Sequence, residues 1–570
     1  MDRSKCATVL CACLVWLVAS CGGTGTSTSD VPDALPAPDE SGLADASPDA
    51  DAPVPGDIKG TDKAGPIDIE VFEIPGPTDV DGADNPAPAD LEVGDVPALA
   101  DVEVTDTPAP ADVEVADTPT PADVNESDTS APPPPLFDHK MIRDASTAAC
   151  SFTDKHSVFK DGVLLDAWKV TYYSWESIDG ELHPIQIRGF AARPALGGGN
   201  LPGIIHAHGL GGYADEDAAT GPAALLGTFV LAYTGPGGGT EPSNTSEGMA
   251  ASAENGYKMF DTIEDLRGSW FWGHAVAAMR GLTCLENHPD VDETRLGITG
   301  FSAGGVISHI VAGVDDRTKA AVPLSGVLAW DVAVQSPDAW QHALLKQAGL
   351  TSQSPEWTAL MDLVNPQLIL AGTQAKVFEV NGSCDEFFPL TAHLATYNAL
   401  PADNRRLSLV ANFDHGCYKL TGGEGASTIE ERADLRAKGA QRAWFHHVFG
   451  TDSDYTYIPQ PPAVSITPLG AFTLVGAVVD AGGSKLSIEE VKVWASNDQA
   501  FLFAGMALKN QGGTLYSEVV PVVLDGNSVY YVDVQYKTAD FLFPERFSVS
   551  SPPVIPPGQI PHIRDINSCL

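Results

Sequence analysis

Leu296-Gly297-Ile298-Thr299-Gly300-Phe301-Ser302-Ala303-Gly304-Gly305-Val306 decides how the rest of the chain is read. A short apolar run enters a sharp turn with serine at its apex, and the segment from Val306 to Val314 reads as a helix. Strand, turn and helix in that order form a nucleophile elbow. The turn strains the serine backbone, so side chains at Gly300 and Gly304 would clash, and the hydroxyl stands clear above a sheet. Ser302 is therefore the predicted nucleophile.

The flanks extend the pattern. Residues 202–208 read as a buried strand entering a glycine-rich loop, and 228–233 as a second strand running into Gly235-Pro-Gly-Gly-Gly239. A helix is predicted over 273–285, with further strands over 320–325 and 375–381. Such alternation predicts an α/β fold with a mostly parallel central sheet. The glycines at 235–239 are no phosphate loop, because no Gly-Lys-Ser/Thr follows.

A serine hydroxyl needs a neighbouring base, and an imidazole needs a carboxylate to fix its tautomer. On an elbow scaffold the chain order is serine, acid, histidine. Asp385 follows the strand over 377–380 through a glycine-containing turn and is the predicted acid, with Glu386 as its rival and a helix-capping role as the plain alternative. His415, in the loop after a strand over 407–411, is the predicted base. His206, His208, His309, His446 and His447 are assigned to packing. Two N–H groups should hold the oxyanion: that of Ala303, after the nucleophile, and that of Leu210 in His208-Gly209-Leu210-Gly211-Gly212, with Gly209 as the lesser choice. Trp270 and Trp272 have two readings: a platform for a sugar ring or acyl chain, or packing between helix and sheet, which is the commoner use.

The N-terminus is of another kind. Residues 1–21 have a basic start, an apolar stretch over 7–18 and Val-Ala-Ser-Cys21, similar to the lipobox at which bacterial lipoproteins are cut and lipidated. From residue 22 to 136 Asp, Pro, Ala, Val and Thr dominate, and an eleven-residue unit recurs from Asp90, Asp101, Asp112 and Asp123. Such a segment cannot bury enough apolar surface to fold and is predicted to be a disordered spacer. At least half of the formal charge of −44 lies here, so the acidity describes the tether and argues against nucleic-acid binding. A cell-envelope lipoprotein follows, held to a membrane through Cys21, at the outer membrane or cell surface.

Cys150, Cys284, Cys384, Cys417 and Cys569 remain in the body. Cys384 and Cys417 each neighbour a predicted catalytic residue; a bridge between them would close a loop of about 33 residues, worth roughly 3–4 kcal/mol. Cys150 with Cys569 is the weaker second pairing. No C-x-x-C pair or His/Cys cluster suggests a metal, and no cofactor is called for.

After a helix over 430–449 and Pro459-Gln-Pro-Pro462, short strands are predicted over 463–467, 472–479, 490–495, 517–524, 529–536 and 546–550. Tyr530, Val532, Val534 and Tyr536 share one apolar face, with Asp533 and Gln535 on the other. A small immunoglobulin-like sandwich over 451–570 is predicted, after a catalytic domain over 137–450.

The order of parts resembles the α/β-hydrolase superfamily. The segment from Asn287 to Gly305 and that from Asp315 to Pro323 are similar to the acetylxylan esterase and dienelactone-hydrolase-like branch. Asn381-Gly-Ser-Cys-Asp385-Glu-Phe-Phe-Pro389 resembles PhoPQ-activated pathogenicity-related proteins, whose serine is followed by charged residues where Ala303-Gly304 stand here. The resemblance implies a serine esterase acting on short-acyl esters, acetylated polysaccharide foremost. A prolyl-oligopeptidase-like peptidase would use the same three residues, and a surface binding protein on an inactive hydrolase scaffold is the alternative from another class.

Overall fold

The computed structural model describes residues 135–556 apart from 254–256, 337–338, 416–425, 498–501, 525, 527 and 541–543. The leader with Cys21, the acidic repeats, Cys417 and Cys569 lie outside the described residues.

Nine described strands form one sheet: β1 (Ser151–Lys160), β2 (Val163–Ile178), β3 (Glu181–Pro194), β4 (Leu201–Ala207), β5 (Phe229–Tyr233), β6 (Val291–Phe301), β7 (Thr318–Leu324), β8 (Lys376–Gly382) and β9 (Arg405–Val410). Their order is β1-β2-β3-β5-β4-β6-β7-β8-β9. From β5 to β9 all pairs are parallel, while β1, β2 and β3 add an antiparallel flank. Phe229, Val230, Leu231, Ala232 and Tyr233 of β5 are all buried, as befits a strand covered on both faces. The protein has an α/β-hydrolase fold.

Helices cover both faces: α1 (Glu216–Leu226), α2 (Trp270–Glu286), α3 (Ala303–Val314), α4 (Leu390–Ala399) and α5 (Ala426–Phe449). Asp215 caps α1 by accepting from the Ala218 N–H, and Ser269 caps α2 by accepting from that of Phe271. Helix α3 begins at Ala303 rather than at the expected Val306, because Gly304 and Gly305 are helical residues that let α3 lie close on the sheet.

Cys150 is bonded to Cys284, not to Cys569: the two Cα atoms lie 5.6 Å apart, joining the chain before β1 to the buried end of α2. Nothing in sequence spacing marks this pair, since 134 residues separate them.

Beyond α5 come two four-stranded antiparallel sheets. One holds β10 (Ala463–Leu469), β11 (Phe472–Val478), β15 (Leu515–Val520) and β14 (Lys509–Gly512) in that order. The other holds β13 (Ala504–Ala507), β12 (Leu486–Ser496), β16 (Val529–Thr538) and β17 (Arg546–Ser550). Val475, Ala477 and Val520 meet Val491, Val493, Val532 and Val534 between them. The other face of β16 is not a solvent face: Tyr531 and Asp533 are 0 % and 4 % exposed, and Asp533 pairs with Arg436 of α5 at 2.6 Å. The described residues thus form one compact unit, in which the second sheet lies between the first and the hydrolase.

Candidate active site

Ser302 sits between β6 and α3 at φ 60° and ψ −121°, a left-handed conformation costing on the order of 1–3 kcal/mol unless its surroundings enforce it. They do so by close approach. A Cβ added to Gly300 would lie 2.4 Å from the Ala207 carbonyl oxygen, and one added to Gly304 only 2.1 Å from it. Glycine is therefore required on both sides of the serine.

The structure brings Ser302, His415 and Asp385 together. Ser302 Oγ lies 2.9 Å from His415 Nε2, and His415 Nδ1 lies 2.8 Å from Asp385 Oδ2. Asp385 is 1 % exposed, and its other oxygen accepts the N–H groups of Phe387 and Phe388, each at 2.9 Å. With acceptors only on the carboxylate, His415 carries its proton on Nδ1. Nε2 then accepts from the serine hydroxyl, the tautomer a general base needs. Asp385, not Glu386, is the carboxylate bonded to the imidazole.

Two neighbours escaped sequence reasoning. The His415 ring is flanked by Phe387 at 4.3 Å and Phe301 at 4.9 Å, with interplanar angles of 23° and 31°. Phe301 is the variable residue of the elbow and Phe387 follows the acid by two positions, so both were in view, but no periodicity marks a ring that holds an imidazole.

Gly209 passes directly over the nucleophile; a Cβ there would be 3.2 Å from that of Ser302. His208, expected to pack, does more. Its Nε2 accepts the Gly235 N–H at 2.8 Å, so its proton is on Nδ1 and is donated to the Gly209 carbonyl at 2.6 Å. Desolvation holds His208 down at about 4, keeping it neutral. With the Gly209 carbonyl tied back, the planar trans peptide turns the Leu210 N–H the opposite way. The Ala303 N–H opens α3 and so has no intrahelical acceptor.

Trp270 and Trp272 are corrected to packing residues. They are 4 % and 1 % exposed, with indole N–H groups donating to the carbonyls of Pro236 and Leu136. The residues of Cys384–Cys417 cannot be placed as a pair, since Cys417 lies outside the described residues; Cys384 is buried beside the acid. No group of three His, Cys, Asp or Glu fit to hold a metal occurs among the described residues, nor a helix long and apolar enough to cross a membrane.

Residues 165–419, which contain all three of these side chains, match the family model for acetyl xylan esterase (AXE1). This segment is similar to the acetyl xylan esterases. The chain is accordingly a carboxylic ester hydrolase. Among solved structures it is similar to the acetyl xylan esterase from Paenibacillus sp. R4, at 18% identity over 51% of this chain and 89% of that one, with a TM-score of 0.41. Acetyl xylan esterase 1 from Thermoanaerobacterium sp. JW/SL YS485 aligns at 16% identity over 52% of this chain and 98% of its own, with a TM-score of 0.37. A putative dienelactone hydrolase from Klebsiella pneumoniae subsp. pneumoniae MGH 78578 gives 18% over 49% and 98%, at 0.28. The acetyl xylan esterase match ends at residue 419, leaving the two C-terminal sheets outside it.

Proposed function

We propose that this esterase removes short acyl groups, acetyl foremost, from a polysaccharide by a serine acyl-enzyme route. Ser302 Oγ attacks the ester carbonyl while its proton passes to His415 Nε2. Asp385 stabilises the imidazolium, and the Ala303 and Leu210 N–H groups receive the oxyanion. Collapse breaks the C–O bond, and Nε2 returns the proton to the departing sugar oxygen. Water then attacks the acyl-serine with His415 again as base, freeing acetate and Ser302. The observation that carries this reading is the unbroken relay from Ser302 Oγ through His415 to Asp385, at 2.9 and 2.8 Å, within the acetyl xylan esterase segment. The substrate class rests on that family match. Tethering through Cys21 and the acidic spacer, which would place the enzyme at the cell envelope, rests on the leader sequence.

The test is hydrolysis of p-nitrophenyl acetate, butyrate and octanoate by the protein and by Ser302→Ala, followed by acetate release from acetylated xylan. We expect the shortest ester to be preferred and turnover to fall by about 10⁴–10⁶ in the variant. Equal rates in the two proteins would refute the mechanism, and activity confined to proline-linked anilides would move the reading to a peptidase.

A further inference from the structure

We propose that the C-terminal β-module is a working part of the hydrolytic site, in which Asn412, anchored on Phe503 of the module, is the positioning residue for His415. This rests on the reading of Ser302, His415 and Asp385 as the reacting set, and concerns what holds two of them in place.

The base is delivered by an awkward piece of chain. Strand β9 is the last of the large sheet, so the loop that follows it leaves from an edge with no further hydrolase strand beside it. Within that loop both Asn412 and His415 are left-handed, at φ 62° and 61°. Asparagine tolerates this conformation; histidine less readily, so the loop keeps its shape only if neighbours impose it.

The neighbours are in the module. Asn412 is 3 % exposed, its Nδ2 donates to the Phe503 carbonyl at 3.0 Å, and its Oδ1 accepts the Phe503 N–H at 2.8 Å. A side-chain amide thereby pairs with a backbone as a strand would, using donor and acceptor together. The Asn412 N–H meanwhile donates to Ser383 Oγ at 2.9 Å, and the Cys384 N–H donates to the Phe413 carbonyl at 3.1 Å. The acid-bearing and base-bearing loops are thus stitched to each other, and both rest on the module: Cys384, Leu409 and Ala411 share one apolar cluster with Trp494, Phe503, Val529 and Tyr531. Arg432 adds a second strut, donating to the Ala411 carbonyl at 2.8 Å with its guanidinium 5.0 Å from the Trp494 ring. The exposed edge of β9 is closed likewise, its Leu409 N–H donating to Ser550 Oγ of β17 at 2.9 Å.

A merely adhering accessory domain would need the apolar contact but not the paired amide at the base of the catalytic loop. The experiment uses the full chain with Asn412→Gly, which keeps the left-handed backbone free of strain while removing both bonds to Phe503. Asn412→Asp retains only the acceptor. Trp494→Leu loosens the same contact from the module side, and Leu515→Ser on the outer sheet serves as control. Steady-state kinetics on p-nitrophenyl acetate, pH profiles of kcat/KM, the rate of Ser302 labelling by a fluorophosphonate and a thermal melt are measured on each. A misplaced reacting group costs up to about 10²-fold, so kcat and labelling should fall by about 10- to 100-fold in Asn412→Gly with KM little changed. The limb of the pH profile that reports His415 should shift, Asn412→Asp should fall between, and Leu515→Ser should match the parent. A lowered melting temperature with parental kcat, labelling rate and pH profile in both Asn412→Gly and Trp494→Leu would overturn the proposal. A parent protein inert to both ester and fluorophosphonate would instead overturn the esterase reading beneath it.

Discussion

At the scale of single residues, the chemistry depends on where protons and carbonyls are fixed, and His208 shows how indirectly this is done. It lies at the oxyanion loop yet offers no hydrogen bond to a substrate in the proposed mechanism. Both ring nitrogens are committed, one to Gly235 and one to Gly209. Its Nδ1–H restrains the Gly209 carbonyl and so aims the next N–H. His208→Leu should therefore lower kcat toward the 10²–10³-fold loss typical of a missing oxyanion donor, with KM little affected. Steady-state kinetics on p-nitrophenyl acetate check this, and a change confined to KM would place His208 in substrate binding instead. The sequence marked Ser302, Asp385 and His415 because each sits at a strand end in the order an elbow scaffold requires. It left His208 as packing because its two partners are a backbone carbonyl and a backbone N–H, which carry no residue identity to read.

At the scale of elements, the turn, the parallel strands and the helix expected over 273–285 and found over 270–286 were readable because each has a local cause, glycines beside the serine or apolar runs; the Ser269 cap that starts the helix three residues earlier was not read. The antiparallel flank was not. Strands β2 and β3 run 16 and 14 residues, and β2 buries Asp166, Ser174, Glu176 and Ser177 while exposing Leu164 and Tyr173, so no simple alternation marks it; the pairing is set by long-range register rather than local pattern. The Cys150–Cys284 link likewise joins elements that no local signal relates. Closing a loop of 134 residues corresponds to about 5 kcal/mol of denatured-state entropy. Replacing both cysteines by alanine, since Cys284 is buried, should lower the melting temperature markedly. A reductant should lower the parent's melting temperature by more than it lowers that of the double variant. An unchanged melt would mean the constraint is already supplied by Arg280, whose guanidinium donates to the Met141, Ile142 and Asp144 carbonyls across the same junction.

At the scale of the whole molecule, stability is coupled to pH through a cluster no reaction step uses. Glu379 on β8, His309 on α3 and His393 on α4 are each at most 1 % exposed. His393 Nδ1 lies 3.2 Å and His309 Nε2 3.7 Å from the carboxylate oxygens. Burial pushes both imidazoles down to about 3 and the carboxyl well above its ordinary value, so folding favours the neutral form of all three. The unfolded chain binds up to two at its histidines below about pH 6.5 and none above it. On the acid side the unfolded histidines therefore bind more protons and stability falls as pH drops; the raised carboxyl acts the other way, its contribution being lost as pH rises through its folded pKa. Glu379→Gln removes the carboxyl's contribution, because a glutamine carries no proton to lose. The difference in unfolding free energy between parent and variant, from urea titrations between about pH 5 and 9, should fall as pH rises toward the carboxyl's raised pKa, by at most about 1.4 kcal/mol per pH unit. A flat difference would mean that the folded cluster holds no proton, and that the buried carboxylate is charged against its desolvation.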